Sequence, residues 1–204
     1  MKEKKRNFLT ILISPSGGGK TTICKRIVQE NSSIEYSISY TTRKIRKSEI
    51  NGKDYFFVNE KEFKRMRKNG EFIESAKVHE NYYATSKSYI FNKLNSNTDI
   101  IMDIDVQGAK QIQSLGIDCI TIFILPKNEE ILKKRLADRG QNSKQDLKVR
   151  IDAIKKEIKE ISSFDYLVIN DDLQKTVNEV KQIIEVEKKA LPRNLTIVNK
   201  FLND

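Results

Sequence analysis

The chain reads as an α/β protein built on a parallel, doubly wound sheet flanked by helices. Three observations predict it. Near-continuous apolar runs at Phe8–Ile13, Asp99–Asp105, Cys119–Leu125 and Tyr166–Ile169 have the composition of strands buried on both faces. Each is followed by apolar residues at helical spacing, so strand and helix alternate along the core. The first run also gives way to a glycine-rich turn, Ser14–Thr22, that opens the first helix; such sheets place their sites at junctions of this kind.

The elements follow in order. Residues 8–13 form the first strand, and Thr21 to about Glu30 the helix after the turn. Tyr36–Tyr40 alternates polar and apolar positions, which predicts a second strand. Thr41–Ile50 is a polar, basic loop, and the Asn51-Gly52 turn leads into a strand at Tyr55–Val58. Phe63 and Met66 stand at helical spacing within Lys61–Asn69, and Asn69-Gly70 supplies the stop. Phe72–Glu74 and Tyr82-Tyr83 read as short strands, so residues 36–86 make a small strand-rich insertion between two halves of the core. The core resumes at Asp99–Asp105, and Gln107-Gly108 opens a helix that runs to about Leu115. Cys119–Leu125 is the next strand, ended by Pro126. Helices at Glu129–Asp138 and about Lys144–Ile161 flank the polar loop Arg139–Ser143, and Tyr166–Ile169 with Leu173 to about Lys189 closes the alternation. One domain over residues 1–204 is expected: core at about 1–35, 87–126 and 162–191, insertion at 36–86, helical segment at 127–161, and a tail at 192–204 with no assigned role.

Composition narrows the function. With 38% hydrophobic residues the chain can bury a core, and its mean hydropathy is −0.57. No apolar run is long enough to span a bilayer, and Met1–Arg6 leads into the first strand without the apolar segment and cleavage site of a signal peptide. Cys24 and Cys119 fit no metal-ligand spacing and read as reduced thiols, so a cytoplasmic location and no membrane partner are expected. The net charge of +10 raises the idea of a nucleic-acid binder. Acidic residues are interleaved with the basic ones, as in Lys155-Lys156-Glu157, and no basic run carries the aromatics that grip single strands. Solvated surface charge, with a basic cleft for phosphorylated small molecules, accounts for it better than nucleic acid does.

The turn Ser14-Pro15-Ser16-Gly17-Gly18-Gly19-Lys20-Thr21-Thr22 has the make-up of a phosphate-binding loop. Its glycines let backbone N–H groups converge on phosphate oxygens where a Cβ would stand in the way. Lys20 supplies a point charge for the β/γ-phosphates, and the Thr21 hydroxyl a ligand for Mg²⁺. Ser14 stands where the pattern G-x-x-x-x-G-K-[ST] has its first glycine. Arg43 and Arg46 lie close together on the polar loop, and their guanidinium forks suit a second phosphate. Glu74, the Tyr82-Tyr83 pair, Asp103 and Asp105, and the arginines Arg135, Arg139 and Arg150 complete the polar set. Each has a plainer reading in isolation, as a solvated arginine face, a helix cap or a packing tyrosine. Their joint occurrence carries the functional reading.

Taken together these segments resemble the guanylate kinases. The signature S-x-S-x-T-T-R-x-x-R-x-x-E is present as Ser37 through Glu49. It is followed by N-G-x-D-Y-x-F from Asn51 to Phe57, G-E-F-I-E from Gly70 to Glu74, N-Y-Y at Asn81–Tyr83, and then D-I-D-x-Q-G and I-N-D-D-L. Ser14 and Ala84 depart from the family pattern, which has glycine at both positions. The resemblance implies a P-loop kinase fold, its core a parallel five-stranded sheet flanked by helices, in which 36–86 binds GMP and 127–161 is a helical lid. It implies transfer of the γ-phosphoryl group of ATP to GMP or dGMP, with Mg²⁺, in purine metabolism. Arg43, Arg46, Tyr55 and Tyr83 would hold the GMP phosphate, and Glu49, at the end of the same signature, would bind GMP with them. Ser39, Glu74, Thr85 and Asp103 or Asp105 would read the guanine. Lys20, Arg46, Arg139 and Arg150 would neutralise the moving charge, while Arg135 and Asn170 lie on the ATP side. The chemistry of Glu74 supports its part independently: a carboxylate only accepts, and guanine offers N1–H and an amino group in an arrangement adenine lacks. Two rival readings are weaker. A non-catalytic, protein-binding module on the same fold would tend to lose Lys20, Thr21 or the lid arginines; a sugar-phosphate kinase would lack Ser39, Glu74 and Thr85. The sequence is equally compatible with a monomer and a homodimer.

Overall fold

The structure, a computed structural model, describes residues 7–15, 17–78, 80–96, 98–137 and 144–203. The core strands are β1 (Leu9–Ile13), β2 (Ile34–Tyr36), β7 (Asp99–Ile104), β8 (Cys119–Pro126) and β9 (Tyr166–Asn170), in the order β2-β7-β1-β8-β9. Every pairing in this sheet is parallel, and β1 is central, with Leu9 opposite both Ile100 and Cys119. The expected five-stranded parallel sheet is therefore present.

The helices that cover it are α1 (Lys20–Glu30), α3 (Lys87–Asn95), α4 (Val106–Ser114), α5 (Glu129–Ala137), α6 (Lys144–Lys159), α7 (Leu173–Glu187) and α8 (Leu191–Asn203). Alternation along β1 sends Leu12 to one layer with Ile23 and Ile27 of α1 and Val177, Val180 and Ile184 of α7. It sends Leu9, Ile11 and Ile13 to the other, with Ile90 of α3 and Ala109 and Ile112 of α4. Parallel strands covered on both sides must be apolar on both sides, which is why the core runs lack a polar face.

A second sheet, ordered β4-β3-β6-β5, combines β3 (Tyr40–Thr41), β4 (Phe56–Phe57), β5 (Phe72–Val78) and β6 (Asn81–Ser86). Helix α2 (Glu60–Lys68) packs on it through Phe63, whose ring lies 4.9 Å from that of Phe72 and 5.3 Å from that of Tyr82. Asn59 caps α2 by accepting from the Glu62 N–H at 2.9 Å.

Three expectations need correction. The stretch 36–40 is two strands in two sheets: β2 ends at Tyr36 in the core, and β3 starts at Tyr40 in the small sheet. The chain crosses at Ser37–Ser39, where both serines are buried; alternation reports burial but not which sheet supplies it. The hairpin β5–β6 is longer than its short apolar stretches suggested, because cross-strand pairing continues through Ser75, Lys77 and Thr85. Helices α3 and α8 were not anticipated: α3 buries only Ile90, and none of the α8 residues is fully buried. Arg193 fastens α8. Its guanidinium lies 4.3 Å from the centre of the Phe8 ring, 2.9 Å from Asp118, and against Glu187.

Candidate active site

β1 ends at Ile13, and the chain turns through the glycine loop before α1 begins at Lys20. Gly17 and Gly19 have φ of 89° and 95°, a left-handed backbone that side chains resist. Ser14, in place of the first glycine, is buried and donates to the Pro15 carbonyl at 2.9 Å. A Cβ at Gly18 would lie 2.6 Å from the Ser14 Cβ, so the side chain at 14 fits because position 18 has none. Ser14 is thus accommodated by a vacated space across the turn. Lys20 Nζ donates to the Ser14 carbonyl at 2.6 Å, folding the ammonium back over the loop.

The loop is braced from β9 and α5. Asn170 is buried and donates to the Gly18 carbonyl at 2.8 Å, while its own oxygen accepts from Thr176 at 3.2 Å. Arg135 Nη1 reaches the same carbonyl at 3.5 Å. Both residues expected on the ATP side therefore meet the loop backbone.

Thr21 Oγ1 donates to Asp103 Oδ2 at 2.6 Å, and the Tyr36 phenol donates to the other oxygen of Asp103. Asp103 thus stands beside the loop at the end of β7. Asp105 caps α4, accepting from the Gly108 N–H at 2.8 Å.

The cleft over the loop has a volume of about 210 Å³. Lys20, Thr21 and Asp103 line it from the core, and Ser39, Tyr55, Glu74 and Tyr83 from the insertion. Glu74 is 4% exposed and accepts from the Thr85 hydroxyl at 2.7 Å. Burial, with the nearby charge of Asp105 adding to it, pushes its carboxyl up to about 7, against the pull of the Thr85 hydrogen bond. Ala84, beside Thr85, sits within β6 opposite Tyr40 and Ser75, where extended backbone suits alanine as well as glycine.

Arg43 lies against the Tyr55 and Phe57 rings, 5.3 and 5.6 Å from their centres, and both its terminal nitrogens bind Glu49, at 2.7 and 3.0 Å. Glu49 also accepts from the Arg46 N–H at 2.9 Å, while the Arg46 side chain is 57% exposed. Glu49 therefore holds the arginines, and neither it nor Arg43 or Arg46 is part of the cleft wall. Ser16 and Arg139 lie outside the described residues, and Arg150 falls in α6 with its side chain outside them. Sequence reasoning missed Tyr36 and Glu157, which reaches the cleft from α6. Neither belongs to a motif, and only the fold brings them in.

A parallel sheet with a glycine cradle at the end of its first strand, facing a pocket with a buried carboxylate, defines a P-loop nucleotide phosphotransferase. The family model for guanylate kinase matches residues 6–187. The guanylate kinase of Caldanaerobacter subterraneus subsp. tengcongensis is 39% identical over 201 residues, covering 98% of each chain. That of Nitrosomonas europaea is 41% identical, covering 95% of this chain and 98% of its own. The crystal structure of guanylate kinase from Anaplasma phagocytophilum superposes with a TM-score of 0.77 at 28% identity, over 93% of this chain and 90% of that one. The chain belongs to the guanylate kinase family, and it is an ATP:GMP phosphotransferase, a kinase that uses ATP with a divalent metal. Among the described residues no helix is long and apolar enough to cross a membrane.

Proposed function

We propose that the two ends of the cleft divide the reaction, the loop 14–22 taking ATP and the pocket around Glu74 taking GMP or dGMP, in a cytoplasmic enzyme of purine metabolism. The core segments 1–35, 87–126 and 162–191 carry the donor site; 36–86 carries the acceptor site and 127–161 is the lid. The observation that carries this reading is the placement of Lys20 and Glu74 on the walls of one cleft.

The metal is Mg²⁺. Thr21 and Asp103 offer two hard oxygens beside the loop, and among the described residues no larger cluster of acidic, histidine or cysteine ligands exists. That donor set fits an ion that takes one or two protein oxygens and fills its shell from phosphates and water. When bound, it would neutralise charge on the ATP phosphates. Asp103 then serves the loop end, and guanine is read by Glu74, Thr85 and Ser39, with Asp105 holding the α4 end beside them.

No general base is required, because a phosphate monoester is largely dianionic near neutral pH, with a second pKa of about 6. The protein's work is positioning and charge neutralisation. Lys20 exchanges the Ser14 carbonyl for phosphate oxygens. Arg43, gripped by Glu49 and flanked by Tyr55, presents its guanidinium to the GMP phosphate together with Arg46 and Tyr83. Arg139 and Arg150 act from the lid, which excludes water that would otherwise hydrolyse ATP.

A coupled assay of ADP release with GMP, dGMP, AMP or no acceptor tests the reading. Rapid release with GMP and dGMP alone is expected; release that ignores the acceptor would refute it.

A further inference from the structure

Glu74 is held from behind by α4. A Cβ built on Gly108 would lie 2.5 Å from Glu74 Oε2, 3.1 Å from its Cδ and 3.3 Å from Asp105 Oδ1, so the carboxylate occupies the space that any side chain at 108 would fill. One turn further along the same helix, Gln111 reaches the residue after Glu74. Its Nε2 donates to the Ser75 carbonyl at 3.0 Å, and its Oε1 accepts from the Ser75 N–H at 3.1 Å.

This amide does for β5 what a neighbouring strand would do. β5 is the last strand of its sheet, with β6 on one side only, so Ser75 turns an edge toward α4. The register of β5 against β6 shifts between Phe72 and Glu74, and regular pairing begins at Glu74 itself, opposite Thr85. Gln111 clamps the main chain just beyond that irregularity, and Gly108 receives the carboxylate one turn before.

We propose that Gly108 and Gln111 are positioning residues for base selection: they fix Glu74 where it accepts from guanine and rejects adenine. The inference rests on the assignment of Glu74 as the base-reading acceptor. A carboxylate displaced by a fraction of its own width meets N1–H and the amino group poorly, while the phosphate contacts of the acceptor are untouched.

The test uses Gly108→Ala, Gln111→Leu and Glu74→Gln in the full chain, with kcat/KM for GMP and AMP, calorimetric affinity for ATP, and the thermal midpoint. For the first two variants the GMP-to-AMP ratio should fall roughly tenfold or more, through the KM for GMP, with ATP affinity unchanged. Gln111→Glu keeps the acceptor for the Ser75 N–H and loses the donor, so its ratio should lie between wild type and Gln111→Leu. Gln111 is exposed, so its substitution tests the proposal even if alanine at 108 disturbs folding. A purely structural role would lower the thermal midpoint and reduce GMP and AMP turnover in parallel, and that result overturns the proposal. If Glu74→Gln collapses the ratio and both α4 variants preserve it, the proposal fails and the reading of Glu74 stands. If Glu74→Gln preserves the ratio, both fail.

Discussion

At the glycine loop the main chain forms the cradle: glycines at positive φ, the Gly18 carbonyl braced by Asn170 and Arg135, and an ammonium folded over the turn. In the insertion, side chains are fixed instead. Arg43 is gripped by Glu49, and Glu74 is fixed by Thr85 and fitted against the bare Cα of Gly108. A backbone cradle recognises charge and shape common to every nucleoside triphosphate. A buried carboxylate recognises one pattern of donors, because an unsatisfied partner there costs the full desolvation of the group. On the proposed division the loop supplies grip, and the pocket around Glu74 supplies choice.

Removing Lys20 is the largest blow to that division. Lys20→Ala should cut kcat by about 10³-fold or more in steady-state assays, with circular dichroism and thermal midpoint preserved. An active variant would remove the donor end from the comparison.

Glu74→Gln should lower kcat/KM for GMP by about 10²- to 10⁴-fold and leave ATP affinity unchanged by calorimetry. An equal loss for both nucleotides would erase the contrast between the ends. The same variant carries a pH signature. The folded-state carboxyl is pushed up to about 7 and the unfolded one has the ordinary value of 4.5, so the folded protein binds the extra proton between these values. Stability therefore falls as pH rises through that window, and Glu74→Gln removes the loss. Its thermal midpoint should exceed wild type at pH 8, by up to about 3 kcal/mol in stability, with the gap closing below pH 4.5. Wild-type kcat/KM for GMP should in turn decline as pH drops below about 7, since the protonated group loses an acceptor.

Gly18→Ala should destabilise by about 1–3 kcal/mol and weaken ATP binding, because its Cβ meets Ser14. Adding Ser14→Gly should restore most of the loss in chemical denaturation, and strict additivity would show that the two positions do not share that space.

Glu49→Gln should be mildest. Arg43 loses its charged partner, and the KM for GMP should rise by roughly threefold to tenfold at unchanged KM for ATP. A change confined to ATP would place Glu49 at the wrong end.

What the sequence displayed follows the same divide. The loop was legible because its information is local: an apolar run, glycines, Lys20 and a helix lie within a few positions of one another. Glu74 stood out through its motif and its chemistry. What held it did not, since Gly108 matters only because a strand 34 positions earlier in the chain lies against it. The split of 36–40 between two sheets was hidden for a like reason, as Ser37 and Ser39 are buried where the sheets meet. Helix α3 offered one buried residue and no usable period. Arg43 and Arg46 read as a pair of phosphate ligands, yet the partner that orders them, Glu49, carries the opposite charge and shows its part only in three dimensions.

The Arg193 clasp draws on Phe8, Asp118 and Glu187, positions spread over almost the whole chain. On a translating ribosome the glycine loop, Glu74 and both serines of the sheet crossing emerge long before residue 193 does. Domains fold as their segments become available, so the loop and the Glu74 segment emerge before the Arg193 contacts to Phe8, Asp118 and Glu187 can form. A chain arrested before residue 193 carries the loop and the pocket residues without the fastening beneath them. Truncation there should therefore leave a protease-sensitive product whose defect lies in completion of the fold and not in its chemistry.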